Sequence, residues 1–239
     1  MSAVNNSNED LEQDTWGTKD HLTIDQAEAL AKFTSVAKES DLNLAKYHGE
    51  SLENVCLRFL RARQFHWSHA LELLKKCVKK KNSGQATHVA TVEPSNVLNC
   101  DIDVFKKFYP HMHLGYDKLN RPILYGQYGK VNPAAVASLT IPDALIKYHL
   151  RTIESDLNDM FEQAGAEGKS VTFSTCAIVD LEGLGMEHCT GPAFEQMEST
   201  VALDSVCYPE TLGKLFVVNA PWLAGTICTF TLSSLISRY

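Results

Sequence analysis

Hydrophobic residues in the first part of the chain recur every three or four positions, with polar residues between them. This spacing predicts amphipathic helices. Thr23, Ser51 and Ser68 each stand just before or at the start of such a segment and are suited to cap a helix. A polar stretch over residues 82–95 is interpreted as a connector into a further helix over 97–108. The chain is therefore predicted to begin with a helical unit, whose capped helices cover residues 23–39, 51–63 and 68–81.

Beyond residue 121 the pattern changes to short apolar runs that alternate with helical segments. The runs have the length and composition of strands. The predicted strands cover residues 123–128, 171–181 and 214–219. The predicted helices between them cover residues 134–138, 142–163 and 191–206. Because strands that alternate with helices form mainly parallel sheets, we predict an α/β fold in which the sheet is flanked by helices.

The stretch from Tyr208 to Trp222 combines a turn signal, an apolar strand and a second breaker. Pro209 and Gly213 mark the turn. The continuously apolar run over 215–218 is typical of a strand covered on both faces by helices. The segment therefore predicts a buried element with the carboxylate of Glu210 at its mouth.

The bulk properties exclude several classes of protein. The chain has 239 residues, of which 22 are basic and 29 acidic, and its formal charge of −7 argues against a nucleic-acid binder. Its seven cysteines contain no CxxC pair, which favours reduced cytosolic thiols over a zinc site or a disulfide framework. The polar, acidic residues 1–20 are predicted to be a disordered tail. Since we find no run of about 18 apolar residues, we expect a cytoplasmic protein with only transient, peripheral membrane contact.

Two glycine-containing segments could suggest enzyme chemistry. The segment 165–170 lacks the glycine that a P-loop needs at position 163, where Gln163 stands, and it closes a helix instead of opening one. Asp180 and Glu182 have no histidine or cysteine at metal-ligand spacing, so Asp180 is assigned to turn hydrogen bonding. No Gly-x-Ser-x-Gly elbow is present. We therefore predict no catalytic residue, no metal site and no cofactor.

A group of lysines lies towards the end of the third predicted helix, and two interpretations of it stay open. The first is a solvated helix face whose charge complements the helix dipole. The second is a surface attracted to an anionic membrane. The lysines are Lys75, Lys76, Lys79, Lys80 and Lys81.

Three motifs, in the same order along the chain, resemble one known family. They are Leu57–Phe65, Asp117–Tyr125 and Tyr208–Trp222. Together they resemble the CRAL-TRIO lipid-binding domain of secretory-pathway phosphatidylinositol transfer proteins. The second motif resembles the turn that opens the first strand of the sheet in that family. The resemblance implies a helical lead-in over residues 21–95 and a CRAL-TRIO-like domain over 96–239, with a monomeric protein that is not an enzyme.

The resemblance also assigns roles to three residues. Arg63 matches the family arginine that meets the phosphate of phosphatidylinositol, a role suited to a permanently charged bidentate donor. Glu210 matches the carboxylate that contacts the inositol hydroxyls. Thr175 stands where the family uses a serine for the phosphatidylcholine headgroup. For Arg58 and Arg61 we expect ordinary roles, as surface charges or as clamps between helices.

The third family residue around the inositol headgroup is a lysine on a final strand beyond the position of Trp222. It has no counterpart in this sequence, and residues 226–239 resemble neither the gating helix nor the closing strand of the family. The resemblance thus implies an incomplete gate and final strand. We accordingly expect lipid binding with weakened or absent transfer.

The function that the resemblance implies is binding of a phospholipid, phosphatidylinositol above others, in an internal apolar pocket, together with its transfer between membranes. Two other interpretations stay open. The same fold could serve as a non-enzymatic scaffold or regulator, or hold another hydrophobic ligand such as a tocopherol, retinoid or squalene-like molecule. A hydrolase or nucleotide enzyme is the remaining alternative, and it would show turnover independent of Arg63 and Glu210.

Overall fold

The computed structural model of the chain describes residues 17–38, 46–166, 171–188 and 191–221. Its α-helices are α1 (Ile24–Ala37), α2 (Leu52–Arg61), α3 (Trp67–Ser83), α4 (Ala86–Ala90), α5 (Pro94–Leu98), α6 (Ile102–Phe108), α7 (Pro133–Leu139), α8 (Pro142–Arg151), α9 (Asn158–Ala166) and α10 (Gly191–Cys207). Its strands are β1 (His111–Tyr116), β2 (Pro122–Gln127), β3 (Thr175–Asp180) and β4 (Leu212–Val218). The expectations for residues 1–16 of the tail and for residues 222–239 fall outside the described residues.

Side-chain caps start the first two helices where the sequence predicts them. The Thr23 hydroxyl accepts a hydrogen bond from the backbone of Gln26, and the Gln26 side chain accepts one from the backbone of Thr23, which makes a capping box at α1. Ser51 caps α2 with a 3.1 Å bond from the helix backbone. The third predicted cap is wrong, because α3 begins one residue before Ser68 and the capping position is held by His66.

The predicted connector and the helix after it differ from the structure. Residues 82–95 contain the end of α3, all of α4 and the start of α5. The single helix predicted over 97–108 is two helices, since Asn99 adopts a left-handed φ of 55° and ends α5. Asp101 then caps α6 by accepting two backbone hydrogen bonds. Asn and Asp favour these positions because their short side chains compete with the helix for backbone groups.

The sheet has the strand order β1-β2-β3-β4. Strand β1 is antiparallel to β2, whereas β2, β3 and β4 are parallel, so the predicted mainly parallel α/β fold is confirmed. The sequence did not predict β1. The motif Asp117–Tyr125 therefore does not open the first strand, but contains the turn between β1 and β2, where the Asp117 carboxylate accepts backbone bonds from Leu119 and Arg121.

The long helix predicted over 142–163 is confirmed, with one interruption. Between α8 and α9 the backbone forms a π-helical turn over Thr152–Leu157. Such turns widen a helix locally and often occur at functional places. Here the turn carries Glu154, which reaches a buried lysine of α3.

The main core belongs to the helices. Phe33, Phe59 and Leu74 from the first three helices are fully buried, and Phe161 and Leu203 from α9 and α10 join the same cluster. The helical lead-in and the helices of the sheet region thus share one core. The boundary between residues 95 and 96 stays a prediction, and it falls inside α5.

The two sides of the sheet differ in what they face. One row of paired side chains includes Leu124, which packs against the main core, so we call this the helix-facing side. Both parallel crossovers place their helices on one side of a sheet, which agrees with this assignment. The helix-facing row is His113, Leu124, Ala177 and Leu215, and the opposite, outer row is Met112, Tyr125, Ile178 and Phe216.

The expectation that the 215–218 run is covered on both faces is wrong for the described residues. Phe216 is 47% exposed, Val217 38% and Val218 37%. Strand β4 lies at the edge of the described sheet, with β3 as its neighbour. Its apolar composition therefore does not reflect burial by the described helices.

Candidate ligand-binding site

The turn between α10 and β4 brings the predicted carboxylate to the helical lead-in. Tyr208 and Pro209 are buried, and Glu210 adopts a left-handed φ of 58°. This conformation is uncommon for a residue with a side chain and is often found at functional sites. Burial raises the pKa of the Glu210 carboxyl, while the neighbouring guanidinium groups of Arg61 and Arg58 act in the opposite direction.

Arg58 fastens this turn to the lead-in. Its Nε and Nη2 donate to the two carboxylate oxygens of Glu50 at 2.7 and 2.9 Å. Its Nη1 donates to the carbonyl of Pro209 at 3.2 Å. The pair is buried, and a bidentate charged pair of this kind is strong as well as directional. Arg58 is therefore a buried clamp and not a surface charge, the other role that was open for it.

The ion pair that the structure shows for Glu210 is with Arg61. Arg61 Nη2 lies 3.2 Å from Glu210 Oε2, and the two side chains are 29% and 14% exposed. The stem of Arg61 is covered by Gly17, where a Cβ atom would lie 3.0 Å from Arg61 Cγ and 2.8 Å from the Phe65 ring. Gly17 is also left-handed, so glycine is required there on both counts. The sequence did not single out this pair.

Arg63 lies beyond the end of α2, in a turn that includes the left-handed residues Gln64 and Phe65. Its Nη1 donates to the carbonyl of Ala62 at 2.6 Å. The structure thus places Arg63 two residues after the arginine that pairs with Glu210. The phosphate role of Arg63 stays a prediction.

Thr175 lies at the start of β3, directly beside the same turn. Its backbone N–H and its hydroxyl both donate to the carbonyl of Thr211, at 2.7 and 3.2 Å. Thr211 follows Glu210, so the structure brings two of the three predicted site residues to one place. The hydroxyl oxygen of Thr175 keeps its capacity to accept a further hydrogen bond.

A second buried charge network holds the turn from the other side. Lys81 lies 2.5 Å from the carboxylate of Glu154, which also accepts a hydrogen bond from the hydroxyl of Tyr208. Lys81 is 1% exposed, so its assignment to the lysine face of α3 is wrong. A sequence signal existed, because Lys81 follows Leu74 and Cys77 at helical spacing in the buried stripe of α3. The other four lysines of the group are exposed.

The layer between the sheet and helices α8 to α10 is loosely filled by the described residues. On the helix-facing side Leu124, Ala177 and Leu215 are only half-buried. In α10 the buried residues are Leu203 and Cys207, both near its C-terminal end. Apolar side chains on this side of the sheet, and others along most of α10, are thus partly accessible. This arrangement leaves an apolar surface between sheet and helices.

The remaining chemistry expected from the sequence is structural. Asp180 accepts hydrogen bonds from the Tyr125 hydroxyl, the Asn219 amide and the backbone of Glu182, which lower the pKa of its carboxyl to about 2. Its predicted turn role is confirmed. Helix α9 ends at Ala166, and residues 167–170 of the glycine-containing loop lie outside the described residues.

Two further observations concern the residues that the structure describes. Among them, no three His, Cys, Asp or Glu side chains are grouped so as to hold a metal ion. The helices in the same ranges include none with both the length and the apolarity needed to cross a membrane.

Comparison with known families matches residues 106–237 to the model of the CRAL/TRIO domain. This match covers more than half of the chain. The chain belongs to the CRAL/TRIO domain family. The CRAL/TRIO match also continues to residue 237, past the position of Trp222 at which the quoted motifs stop.

Two relatives show which CRAL/TRIO proteins the chain is similar to. The phosphatidylinositol/phosphatidylcholine transfer protein SFH13 of Arabidopsis thaliana is 28% identical over 165 residues, which are 69% of this chain and 26% of that protein. The Sec14 cytosolic factor of Schizosaccharomyces pombe is 26% identical over 167 residues, which are 70% of this chain and 56% of that protein. The chain thus spans at most 56% of the length of either relative.

The fold agrees with a solved structure. The crystal structure of Sfh5 superposes with a TM-score of 0.65, covering 90% of this chain and 77% of that chain. The sequence identity is 13%, so this likeness concerns the fold alone.

Proposed function

We propose that this chain binds a phospholipid, with phosphatidylinositol preferred, in its CRAL/TRIO domain. The observation that supports this most directly is the accessible apolar surface between the sheet and helices α8 to α10, in a domain of the CRAL/TRIO family. The names of the two relatives, one a phosphatidylinositol/phosphatidylcholine transfer protein and the other a cytosolic factor, point the same way.

The energetics of lipid extraction explain why such a surface is needed. Burial of a methylene group is worth about 0.8 kcal/mol, so a chain of about 16 carbons contributes on the order of 12 kcal/mol to holding a lipid in a bilayer. A protein that removes the lipid must offer an apolar surface of similar extent. The half-buried side chains of β2, β3 and β4, with those of the helices opposite, are the proposed contacts of the acyl chains.

The headgroup is proposed to lie at the turn between α10 and β4. There Glu210 would accept hydrogen bonds from inositol hydroxyls, Arg63 would meet the phosphate and Thr175 would contribute its hydroxyl oxygen. None of these roles requires a bond to be made or broken, so the proposed protein is not an enzyme. We further propose a cytoplasmic monomer that contacts membranes transiently.

Lipid capture from vesicles tests this proposal. Purified protein is incubated with vesicles of phosphatidylcholine and phosphatidylinositol, separated from them, and extracted for mass spectrometry of the bound lipid. We expect lipid bound in a one-to-one ratio and enriched in phosphatidylinositol over the vesicle composition. Protein that returns without phospholipid would contradict the proposal, and movement of phosphatidylinositol to acceptor vesicles would measure transfer separately.

Two neighbouring valines of β4 provide a matched pair of variants. Val217 and Val218 are 38% and 37% exposed and, because side chains alternate along a strand, point to opposite sides of the sheet. Val217 pairs with Val179 on the helix-facing side. Val217→Asp should abolish lipid capture by placing a charge on the acyl-chain surface, whereas Val218→Asp should retain it. Equal capture by the two variants would exclude the helix-facing side as the binding surface.

A further inference from the structure

The two arginines that approach the Tyr208–Thr211 turn use their hydrogen-bond donors differently. Arg58 donates from Nε, Nη1 and Nη2 to Glu50 and to the carbonyl of Pro209. Arg61 stands one helical turn later and binds Glu210 through Nη2. Its Nε is buried and has no hydrogen-bond partner. These three donors of Arg58 are therefore hydrogen-bonded, whereas the Nε–H donor of Arg61 is not.

An unused buried donor is costly, because the group loses its water without gaining a protein acceptor. The cost is easiest to explain where a ligand supplies the missing acceptor. The unused donor belongs to the guanidinium of Arg61, which binds Glu210. Glu210 has a strained backbone and is itself a proposed headgroup contact. Each partner of the pair thus has an unfavourable feature, an unpaired buried donor in Arg61 and a left-handed backbone in Glu210.

We propose that Arg61 is a specificity-determining residue of the headgroup site. It orients the Glu210 carboxylate towards the headgroup hydroxyls through Nη2 and donates its Nε–H to the same headgroup. The ligand chemistry that fits is an anionic phosphodiester joined to a polyol, as in phosphatidylinositol, since a carboxylate accepts from hydroxyls and a guanidinium donates to oxygen acceptors. This inference rests on the proposed function and adds a residue to its site.

The Arg61–Glu210 pair should disfavour a headgroup that lacks hydroxyl groups. A choline headgroup offers no hydrogen-bond donor to Glu210, so its binding would leave the carboxylate with Arg61 alone. A site built to hydrogen-bond hydroxyls rejects a ligand that lacks them, because the polar groups of the site are then left unpaired. The pair should therefore control which lipid is held more than how much lipid is held.

The test measures lipid choice in variants that separate charge from geometry. Arg61→Lys keeps the positive charge but lacks the Nε–H and the planar fork. The variant is incubated with vesicles that contain equal amounts of phosphatidylinositol and phosphatidylcholine. The ratio of these two lipids in the bound fraction should be about tenfold lower than for wild type, with total bound lipid unchanged. Lys118→Met removes one exposed charge in the β1–β2 turn and should leave the ratio at its wild-type value.

A second variant tests whether the two side chains act as one unit. Glu210→Gln should lower the same ratio, and the double variant Arg61→Lys with Glu210→Gln should lower it no further than the stronger single variant. Melting temperatures within a few degrees of wild type would show that folding is intact. If they fall further, lipid choice is measured on the folded fraction by native mass spectrometry.

The outcomes separate this inference from the proposed function. A wild-type ratio in Arg61→Lys, or an equal loss of both lipids, would overturn the specificity role while leaving lipid binding in place. Wild-type protein that captures no phospholipid would overturn the proposed function and this inference with it.

Discussion

The helical lead-in and the sheet differ in how completely they are filled. In the lead-in, Phe33, Val55 and Phe59 have no exposed surface, and even the charged Glu50 and Arg58 are buried as a bidentate pair. In the sheet, three apolar side chains of β4 stay more than one third exposed, namely Phe216, Val217 and Val218. The same kind of residue is thus used for stability in one region and kept accessible in the other. Dense packing and accessible apolar surface thus occur in different regions of one fold.

Removal of the buried clamp should give the largest change in stability. Arg58→Ala leaves the Glu50 carboxylate buried without a partner and frees the carbonyl of Pro209. We expect a loss of about 3–5 kcal/mol in the free energy of unfolding, measured by urea denaturation. The double variant Glu50→Met with Arg58→Met should recover part of that loss, because no unpaired charge remains. A loss below about 1 kcal/mol for Arg58→Ala would contradict the clamp.

Two phenylalanines compare the regions directly. Phe59 is fully buried in the main core, whereas Phe216 on β4 is 47% exposed. Phe59→Ala should cost about 3 kcal/mol or more in unfolding free energy, since it leaves a cavity in a closed core. Phe216→Ala should cost less than about 1 kcal/mol. Similar losses in both variants would show that the sheet is as closely packed as the lead-in.

The smallest expected effect concerns two histidines in the layer between sheet and helices. His111 of β1 is stacked on Tyr109 and meets the edge of Tyr128, and neither ring nitrogen has a partner. Burial, helped by the neighbouring His149, lowers the pKa of His111 to about 4. Burial acts to lower the pKa of His149 as well, but the carboxylate of Asp204 at 2.7 Å raises it overall.

These opposite shifts make opposite contributions to stability as pH changes. Below pH 6.5 the unfolded chain protonates His111 and the folded chain does not until about pH 4, so this histidine destabilises the fold as pH falls through that window. His149 contributes stability below its unfolded pKa, and that contribution is lost as pH rises through its raised folded pKa.

Unfolding measured at pH 7 and pH 5 tests this balance. His111→Leu should remove the acid-sensitive contribution, so that its stability falls less between the two pH values than that of wild type, by about 1–2 kcal/mol. His149→Gln should make the fall steeper. Identical pH dependence in wild type and His111→Leu would contradict a buried, neutral His111.

Local signals in the sequence were sufficient for most elements. Thr23 and Ser51 cap the helices that they were expected to cap, because capping depends on a few neighbouring residues. The parallel strands follow from short apolar runs between turns. Strand β1 was missed, since its pattern of two histidines, a methionine and a glycine lacks the β-branched residues that mark a strand.

Pairings between distant residues had no comparable signal. Helix α2 ends at Arg61, and Arg63 follows just before the left-handed residues Gln64 and Phe65, so the pairing of Arg61 with Glu210 depends on how the helix ends. Glu154, the partner of the buried Lys81, lies in the π-helical turn that interrupts the long helix. Neither event leaves a periodic trace in the sequence.

The amino-acid sequence alone determined most of the helices, the three parallel strands, the α/β class and the family, because these follow from local spacing and from motifs of contiguous residues. The tertiary structure decided which charged groups pair and which apolar residues stay accessible. Charge pairing depends on contacts between segments that are up to about 150 residues apart in the sequence, such as those of Arg58 and Pro209. Burial depends on what surrounds a side chain and not on the side chain itself.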